Sequence, residues 1–316
     1  MHGSAKSQVK TLFRLSGINK IGQSKHEAKR VARSAGKNTW HTIGKELGIH
    51  SYKTADAYKD VWTQCVQHAK DNFKLHDLPK LKNEHVQKFL ESKINQKIAY
   101  ATFQQYAAAV EKLEVALKLY AKKYNRPFEY NFSEIIKEAR KTAQKELNRK
   151  QTRRAYKSPE KIISNIKNSK HRLVAEMQLS SGARISECNN ITEEKLKGLQ
   201  KDQITGEIKG AIHVQGKGGF RGDKYLNPET YKKIEKIVKE NGIFSFNQNK
   251  YRQNLKEASL KAGQKYQGSH GLRWNFAQRK FLEVQKHGKT YEQALSITSK
   301  ALFHHRADIT EHYLKG

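Results

Sequence analysis

The chain has 316 residues, room for two or three domains of roughly 100–150 residues each, and it carries 62 Lys and Arg against 30 Asp and Glu, a formal charge of +32. That excess is far beyond what solubility needs and implies a polyanionic partner, nucleic acid ahead of an anionic membrane surface. A membrane role is excluded by pattern: mean hydropathy is −0.89, no apolar run reaches the ~18 residues of a span, and the start MHGSAKSQVKTLF lacks the apolar core of a signal peptide.

The two cysteines, Cys65 and Cys188, lie far apart inside helical patterns, so neither a disulfide framework nor a zinc site is expected, and a reducing compartment is. Residues 1–36 are basic and weakly periodic and read as an N-terminal arm, with a short helix over SKHEAKRVARSAGKN ended by Gly36. Residues 37–150 read as a helical bundle. WHTIGKELGIHSYKTADAYKDVW is helix, glycine turn and helix, with Gly48 at the turn. A helix-turn-helix has the same layout. However, Tyr58, Val61, Trp62, Cys65, Val66, Ala69 and Phe73 share one stripe, as a core-facing bundle helix requires. NEHVQKFLESKI (83–94) turns Val86, Phe89, Leu90 and Ile94 to one side. In TFQQYAAAVEKLEVALKLYAKKY (102–124), Phe103, Tyr106, Val110, Leu113, Leu117 and Tyr120 recur at steps of three and four. The run spans under three heptads, which favours an antiparallel bundle over a coiled coil. Asn125-Arg-Pro127 stops it, and Ser133 is placed to cap a last helix, SEIIKEARKTAQKEL.

LNRKQTRRAYK (147–157) is basic and poor in apolar residues. Residues 151–157 read as the linker, and Arg149, Lys150, Arg153 and Arg154 are candidate contacts to DNA phosphates. A second domain, 158–316, opens at Ser158-Pro159 as N-cap and first helical residue. KIISNI and HRLVAEMQLSSG are helical, Gly182 is placed to end the second, and RISECNNI reads as a short turn of helix. GAIHVQ and DKYLN are strand-like and flank GKGGFRG, which puts Lys217 on a hairpin turn. TYKKIEKIVKEN and YRQNLKEASLKAG are amphipathic helices. The chain is therefore expected to be mainly α: a helical bundle, then a mostly helical α/β domain with a small antiparallel sheet.

The chemistry concentrates in the last fifty residues. His270 and Arg273 are three apart and share a helix face, with Ser269 placed to cap that helix. An imidazole beside a guanidinium makes an oxyanion cradle, and phosphate suits the planar Arg fork. Thr290-Tyr-Glu-Gln293 has capping-box form and starts a helix expected to run to about Phe303. His304 and Tyr313 are nine apart, on opposite faces of one unbroken helix. Asp308-Ile-Thr-Glu311 offers a second box, and a break there points both side chains at one centre. His304, His305 and His312 suggest a metal site only weakly, since no Cys or carboxylate set completes it. Residue types and spacing by themselves support an anion site with a tyrosine near it.

LSSGARISECNNI adds Arg184 and Glu187, and the hairpin adds Lys217, so the order is Arg184, Lys217, His270, Arg273, His304, Tyr313. This set resembles the tyrosine recombinases of the phage integrase family: an Arg in a G-x-R-x-x-E turn, a Lys on a β-hairpin, H-x-x-R, then a His followed nine residues later by the nucleophilic Tyr. The family's L-G-H is matched by Leu302-Phe-His304, with Phe303 in place of the glycine. The resemblance is strong over 157–316 and looser over 50–150, where it implies a core-binding domain that clamps DNA.

The resemblance implies a site-specific recombinase of a mobile genetic element, an integrase or excisionase, that cleaves and rejoins DNA without metal or nucleotide cofactor. In it Arg184 and Arg273 grip the scissile phosphate, Tyr313 forms a 3′-phosphotyrosyl bond, His270 is the base, Lys217 the acid, His304 a phosphate contact and Glu187 a supporting group. It further implies double-stranded DNA as partner, a homo-tetramer on two sites, accessory DNA-bending proteins and a cytoplasmic, nucleoid-associated location. A type IB topoisomerase shares the chemistry, but usually has Lys in place of the first His. A non-catalytic DNA-binding protein has no need of a tyrosine nine residues after His304. The chain stops three residues after Tyr313, where many members carry a helix that docks on a neighbour. Contact between protomers is then expected elsewhere, or through exchange of the helix bearing Tyr313, unless the C-terminus is truncated.

Overall fold

A computed structural model describes residues 1–148, 154–216, 219–304 and 306–315, with backbone only at 40 and 41. The chain forms two compact units, Met1–Lys150 and Gln151–Gly316. The first is all helix: α1 (Ala5–Leu15), α2 (Lys25–Ser34), α3 (Trp40–Glu46), α4 (Tyr52–Phe73), α5 (Asn83–Asn95), α6 (Tyr100–Lys123) and α7 (Ser133–Glu146). Its core is built on the stripe of α4, where Val61, Trp62, Cys65, Val66 and Ala69 are buried against Phe89 and Leu90 of α5 and Phe103, Val110, Leu113 and Leu117 of α6. Buried Trp62 satisfies its indole N–H on the Ala109 carbonyl at 2.6 Å. The ends of the expected stripe lie at the rim: Tyr58 is half-buried and Phe73 is 37% exposed.

Two features of this unit differ from the sequence reading. Residues 1–36 are not a detached arm throughout, because α1 contributes Ala5, Val9, Leu12 and Phe13 to the same core. Those positions are i, i+4, i+7 and i+8, an apolar stripe that the surrounding lysines obscure. Ser133 is the first residue of α7, and Phe132 stands at the cap. The end of α3 is held from outside: the Lys112 amine donates to the carbonyls of Gly44 and Leu47, and burial pushes its pKa down to about 8.

The second unit contains α8 (Pro159–Ser164), α9 (Ser169–Ser181), β1 (Ile191–Thr192), β2 (Leu196–Lys201), β3 (Ile208–Gln215), β4 (Arg221–Leu226), α10 (Pro228–Asn241), β5 (Ile243–Phe244), α11 (Gln248–Lys261), α12 (Ser269–Lys286), α13 (Tyr291–Ala301) and α14 (Ala307–Leu314). β2, β3 and β4 form an antiparallel meander, with Ala211 opposite Tyr225 and Ile212 opposite Lys224; β1 and β5 make a separate short pair. The mostly helical reading with a small antiparallel sheet therefore matches the structure. β2 escaped the sequence reading because LKGLQK has no β-branched residue and alternates only between half-buried and exposed. RISECNNI is turn rather than helix.

The inner face of the sheet and the surrounding helices enclose one core, with Val174, Met177, Ile212, Leu226, Tyr231, Tyr251 and Leu272 among its buried residues. Tyr156, expected in the linker, is buried in this unit. The Asn275 side chain accepts from its N–H at 3.0 Å and donates to its carbonyl at 2.7 Å, as a strand neighbour would. Among the described residues no helix is long and apolar enough to cross a membrane.

Candidate active site

The site lies where the ends of α9 and α13 meet the start of α12. α9 stops at Gly182, whose φ of 64° is left-handed and whose Cβ position is filled by the Phe276 ring, so only glycine fits. The turn that follows carries Arg184 and Glu187 three residues apart. The buried Glu187 carboxylate accepts from the Arg184 backbone N–H at 2.8 Å and from its Nη1 at 2.7 Å. One carboxylate thus fixes both ends of the arginine. The Arg184 side chain is 24% exposed, which leaves donors facing outward.

α12 starts at Ser269 with Gly268 as its cap residue, so Ser269 does not cap it as expected. His270 and Arg273 follow in its first turn. Arg273 is 0% exposed. Its Nη1 donates to the Gly182 carbonyl and its Nη2 to the Leu302 carbonyl, the terminal carbonyls of α9 and α13. Two helix C-termini hold a cation with the negative ends of their dipoles. Burial first, then the field of Arg184, bring the Arg273 pKa down to about 10, so it stays charged at pH 7. Its Nε, also buried, has no partner among the described residues.

α13 opens with the expected capping box, Thr290 and Gln293 bonded reciprocally. It closes with a Schellman turn: the Phe303 N–H donates to Lys300 O and the His304 N–H to Ser299 O, each at 2.9 Å. The left-handed residue of that turn is Phe303, φ 54°, where glycine would avoid a cost of about 1–2 kcal/mol. The turn sets His304 beside Arg273, with Nε2 3.1 Å from Nη2. A guanidinium can only donate, so Nε2 accepts, and Nδ1–H donates to the Thr310 hydroxyl at 2.9 Å. Thr310 is braced in turn by Ser299 at 2.6 Å. Burial first, then Arg273, push His304 down to about 3, so the ring is neutral.

α14 begins at Ala307 with Arg306 at its cap and no side-chain cap bond. The expected box at Asp308 does not form, because the helix is capped two residues earlier, at Arg306, and Asp308 pairs with Arg306 Nε at 3.4 Å. The expected break between His304 and Tyr313 is present, and it brings Tyr313 back over α12. Tyr313 is 8% exposed and stacked on Trp274 at 4.8 Å and 22°. Its backbone carbonyl accepts from Gln278 at 3.2 Å. Its hydroxyl lies 2.7 Å from His270 Nε2. Burial first, then the arginines Arg273, Arg154 and Arg184, push His270 down to about 4. The ring is neutral and can accept the phenol proton.

Of the sequence candidates, Arg184, Glu187, His270, Arg273, His304 and Tyr313 converge. Lys217 lies outside the described residues, but its chain neighbour Gly216 stands against Glu187 and Arg184. Arg149, Lys150 and Arg153 lie outside the described residues as well, as does His305. Arg154 is exposed and donates to the Gln267 carbonyl at 3.3 Å, just before α12. Sequence reasoning missed Trp274, Ser299, Thr310 and Lys224. For Lys224 a signal existed: strand alternation puts it on the same face as Leu226 and opposite to Tyr225. A threonine braced across a turn leaves no comparable mark. Chemically, the arrangement is an anion cradle of two guanidiniums with a tyrosine hydroxyl already bonded to a neutral base.

Comparison with known proteins agrees with this picture. Residues 29–119 match the family model described as phage integrase, N-terminal. No curated protein matches the sequence. Among solved structures, the XerH site-specific recombinase bound to palindromic difH substrate, a post-cleavage complex, is 15% identical with a TM-score of 0.61, over 100% of this chain and 94% of that one. Its pre-cleavage complex with difH is 14% identical with a TM-score of 0.60, over 99% and 94%. The Tn1549 transposon integrase with a circular intermediate DNA is 14% identical with a TM-score of 0.51, over 98% and 95%. At such identities the likeness is one of fold. The chain shares the fold of the XerH recombinase over its whole length, and residues 29–119 of its first unit match the phage integrase N-terminal model.

Proposed function

We propose that the protein is a site-specific DNA recombinase that breaks and rejoins strands through a 3′-phosphotyrosyl intermediate. The observation that carries this reading is the 2.7 Å bond between the Tyr313 hydroxyl and His270 Nε2, beside a guanidinium anchored on two helix ends. Arg184 and Arg273 bind the non-bridging oxygens of the scissile phosphate and offset the charge that grows in the transition state. Tyr313 oxygen attacks phosphorus while its proton passes to His270 Nε2. The bond from phosphorus to the 5′-oxygen breaks, and Lys217 gives that oxygen a proton. A 5′-hydroxyl, from the same or another strand, reverses the step and reseals the DNA.

Two details depart from the roles implied by the resemblance alone. Neutral His304 has its Nδ1–H on Thr310 and its Nε2 lone pair on Arg273, so it holds the arginine rather than donating to phosphate. His270 is a weak base while the arginine fields act on it. A phosphate seated between the guanidiniums opposes those fields and makes His270 more basic when DNA is bound. Tyr313 reaches His270 of its own chain, which supports delivery of the nucleophile in cis.

The charge of +32 fits a duplex DNA partner. Exchange between two sites calls for a homo-tetramer, and an enzyme of this kind works at the nucleoid, with accessory DNA-bending proteins where its sites need them. The test uses a suicide duplex nicked beside the cleavage point, taken from DNA flanking the gene, in the presence of EDTA. Wild type should form a denaturation-resistant adduct and Tyr313→Phe none. An adduct with both moves the nucleophile elsewhere. Tight binding with no adduct from either favours a DNA-binding protein.

A further inference from the structure

Phe303 is the aromatic residue held in a left-handed conformation at the end of α13. Its ring lies on the β3–β4 hairpin, against the backbone of Gly216 and Gly222, where a Cβ would come within 3.2 Å of the ring. It also meets Phe220, with ring centroids 4.6 Å apart. Beneath it stands Lys224, 1% exposed, with its amine 3.9 Å from the ring centroid and donating to the Ala301 carbonyl. Burial first, then the field of Arg273, push that amine down to about 7. The contact of the amine with the ring face and its bond from β4 to the last residue of α13 tie the same two elements together. Lys224 is thus held from both sides, by the Phe303 ring and by the Ala301 carbonyl.

We propose that Phe303, with Lys224 beneath its ring, is a positioning residue that locks the β3–β4 connection, to which Lys217 belongs, to the His304 turn. The strand ends that flank Lys217 in the sequence and the turn that carries His304 are then held as one unit. The catalytic side of this lock rests on the recombinase reading; the lock itself does not. Without the ring, the hairpin loses its contact with the α13 turn at Gly216 and Gly222, on either side of Lys217 in the sequence.

Wild type, Phe303→Gly and Phe303→Tyr test it. Glycine suits the left-handed φ, so the turn survives, and tyrosine keeps the ring. In DNA-free protein, amide exchange across 219–226 should quicken roughly tenfold in Phe303→Gly, as local opening becomes easier. On the suicide duplex its adduct formation should slow on the order of a hundredfold, the scale of a misplaced catalytic group. On a duplex with a 5′-bridging sulfur at the cleavage point, whose thiolate leaves without a proton, its rate should return to within about threefold of wild type. Phe303→Tyr should match wild type in all three. Unchanged exchange overturns the lock whether or not the protein cleaves DNA. Faster exchange with undiminished cleavage, or an equal loss on both duplexes, overturns the positioning role. Wild type that forms no adduct on either duplex refutes the recombinase reading, while the exchange result still decides the lock.

Discussion

The chemistry turns on which side chains hold Arg273 and which hold Tyr313. Arg273 is tethered by the carbonyls of Gly182 and Leu302 and by His304, and His304 is oriented by Thr310. Thr310→Val removes the acceptor for His304 Nδ1–H, a bond worth about 1 kcal/mol. Adduct formation should therefore fall roughly fivefold, while DNA affinity, measured by titration, changes little. His270 should titrate by NMR near pH 4 in free Tyr313→Phe protein and at higher pH when that variant binds DNA. An unmoved titration would contradict substrate activation of the base. The sign for stability follows from the same shift. His270 and His304 are depressed from 6.5 to about 4 and about 3, so the unfolded chain binds more protons below pH 6.5. Their contribution is complete above 6.5 and lost as pH falls through 4 and 3, and the urea midpoint of the DNA-free protein should drop over that window. Arg184 and Glu187 were legible only through the G-x-R-x-x-E pattern of the resemblance; their ion pair was not. Lys224 was not, since a lysine in a strand reads as surface unless its alternation with Leu226 is followed.

Helix ends place the site. α9 and α13 each finish in a left-handed residue, Gly182 and Phe303, and both terminal carbonyls point at one guanidinium. The start of α12 supplies His270, and the short α14 folds back so that Tyr313 stacks on Trp274. Trp274→Ala should leave DNA binding intact and slow adduct formation, because the phenol ring loses the wall that aims it; equal rates would assign that wall no role. α4, α5 and α6 were readable from apolar spacing, and the capping box at Thr290 from its residue pattern. The box at Asp308 failed because local sequence leaves a helix start open by one or two residues, and here it falls at Ala307. α1 escaped notice because its apolar stripe is interleaved with Lys6, Lys10 and Arg14.

At the scale of the whole chain, the charge of +32 fits the duplex DNA partner proposed above. Affinity should fall linearly in log salt with a slope of about −0.9 for each phosphate neutralised. Cis delivery has its own test: a mixture of Tyr313→Phe and Arg184→Ala proteins should form no more adduct than either alone. Restored adduct would mean that α14 is exchanged between protomers. The assembly itself is not written in the spacing of any motif, since a tetramer depends on surfaces that no local pattern marks. The most direct test of the central claim is to digest the wild-type adduct with protease and nuclease and sequence the linked peptide by mass spectrometry. The account predicts a nucleotide joined through its 3′-phosphate to the oxygen of Tyr313. A link to any other residue, or to a 5′-phosphate, would contradict it.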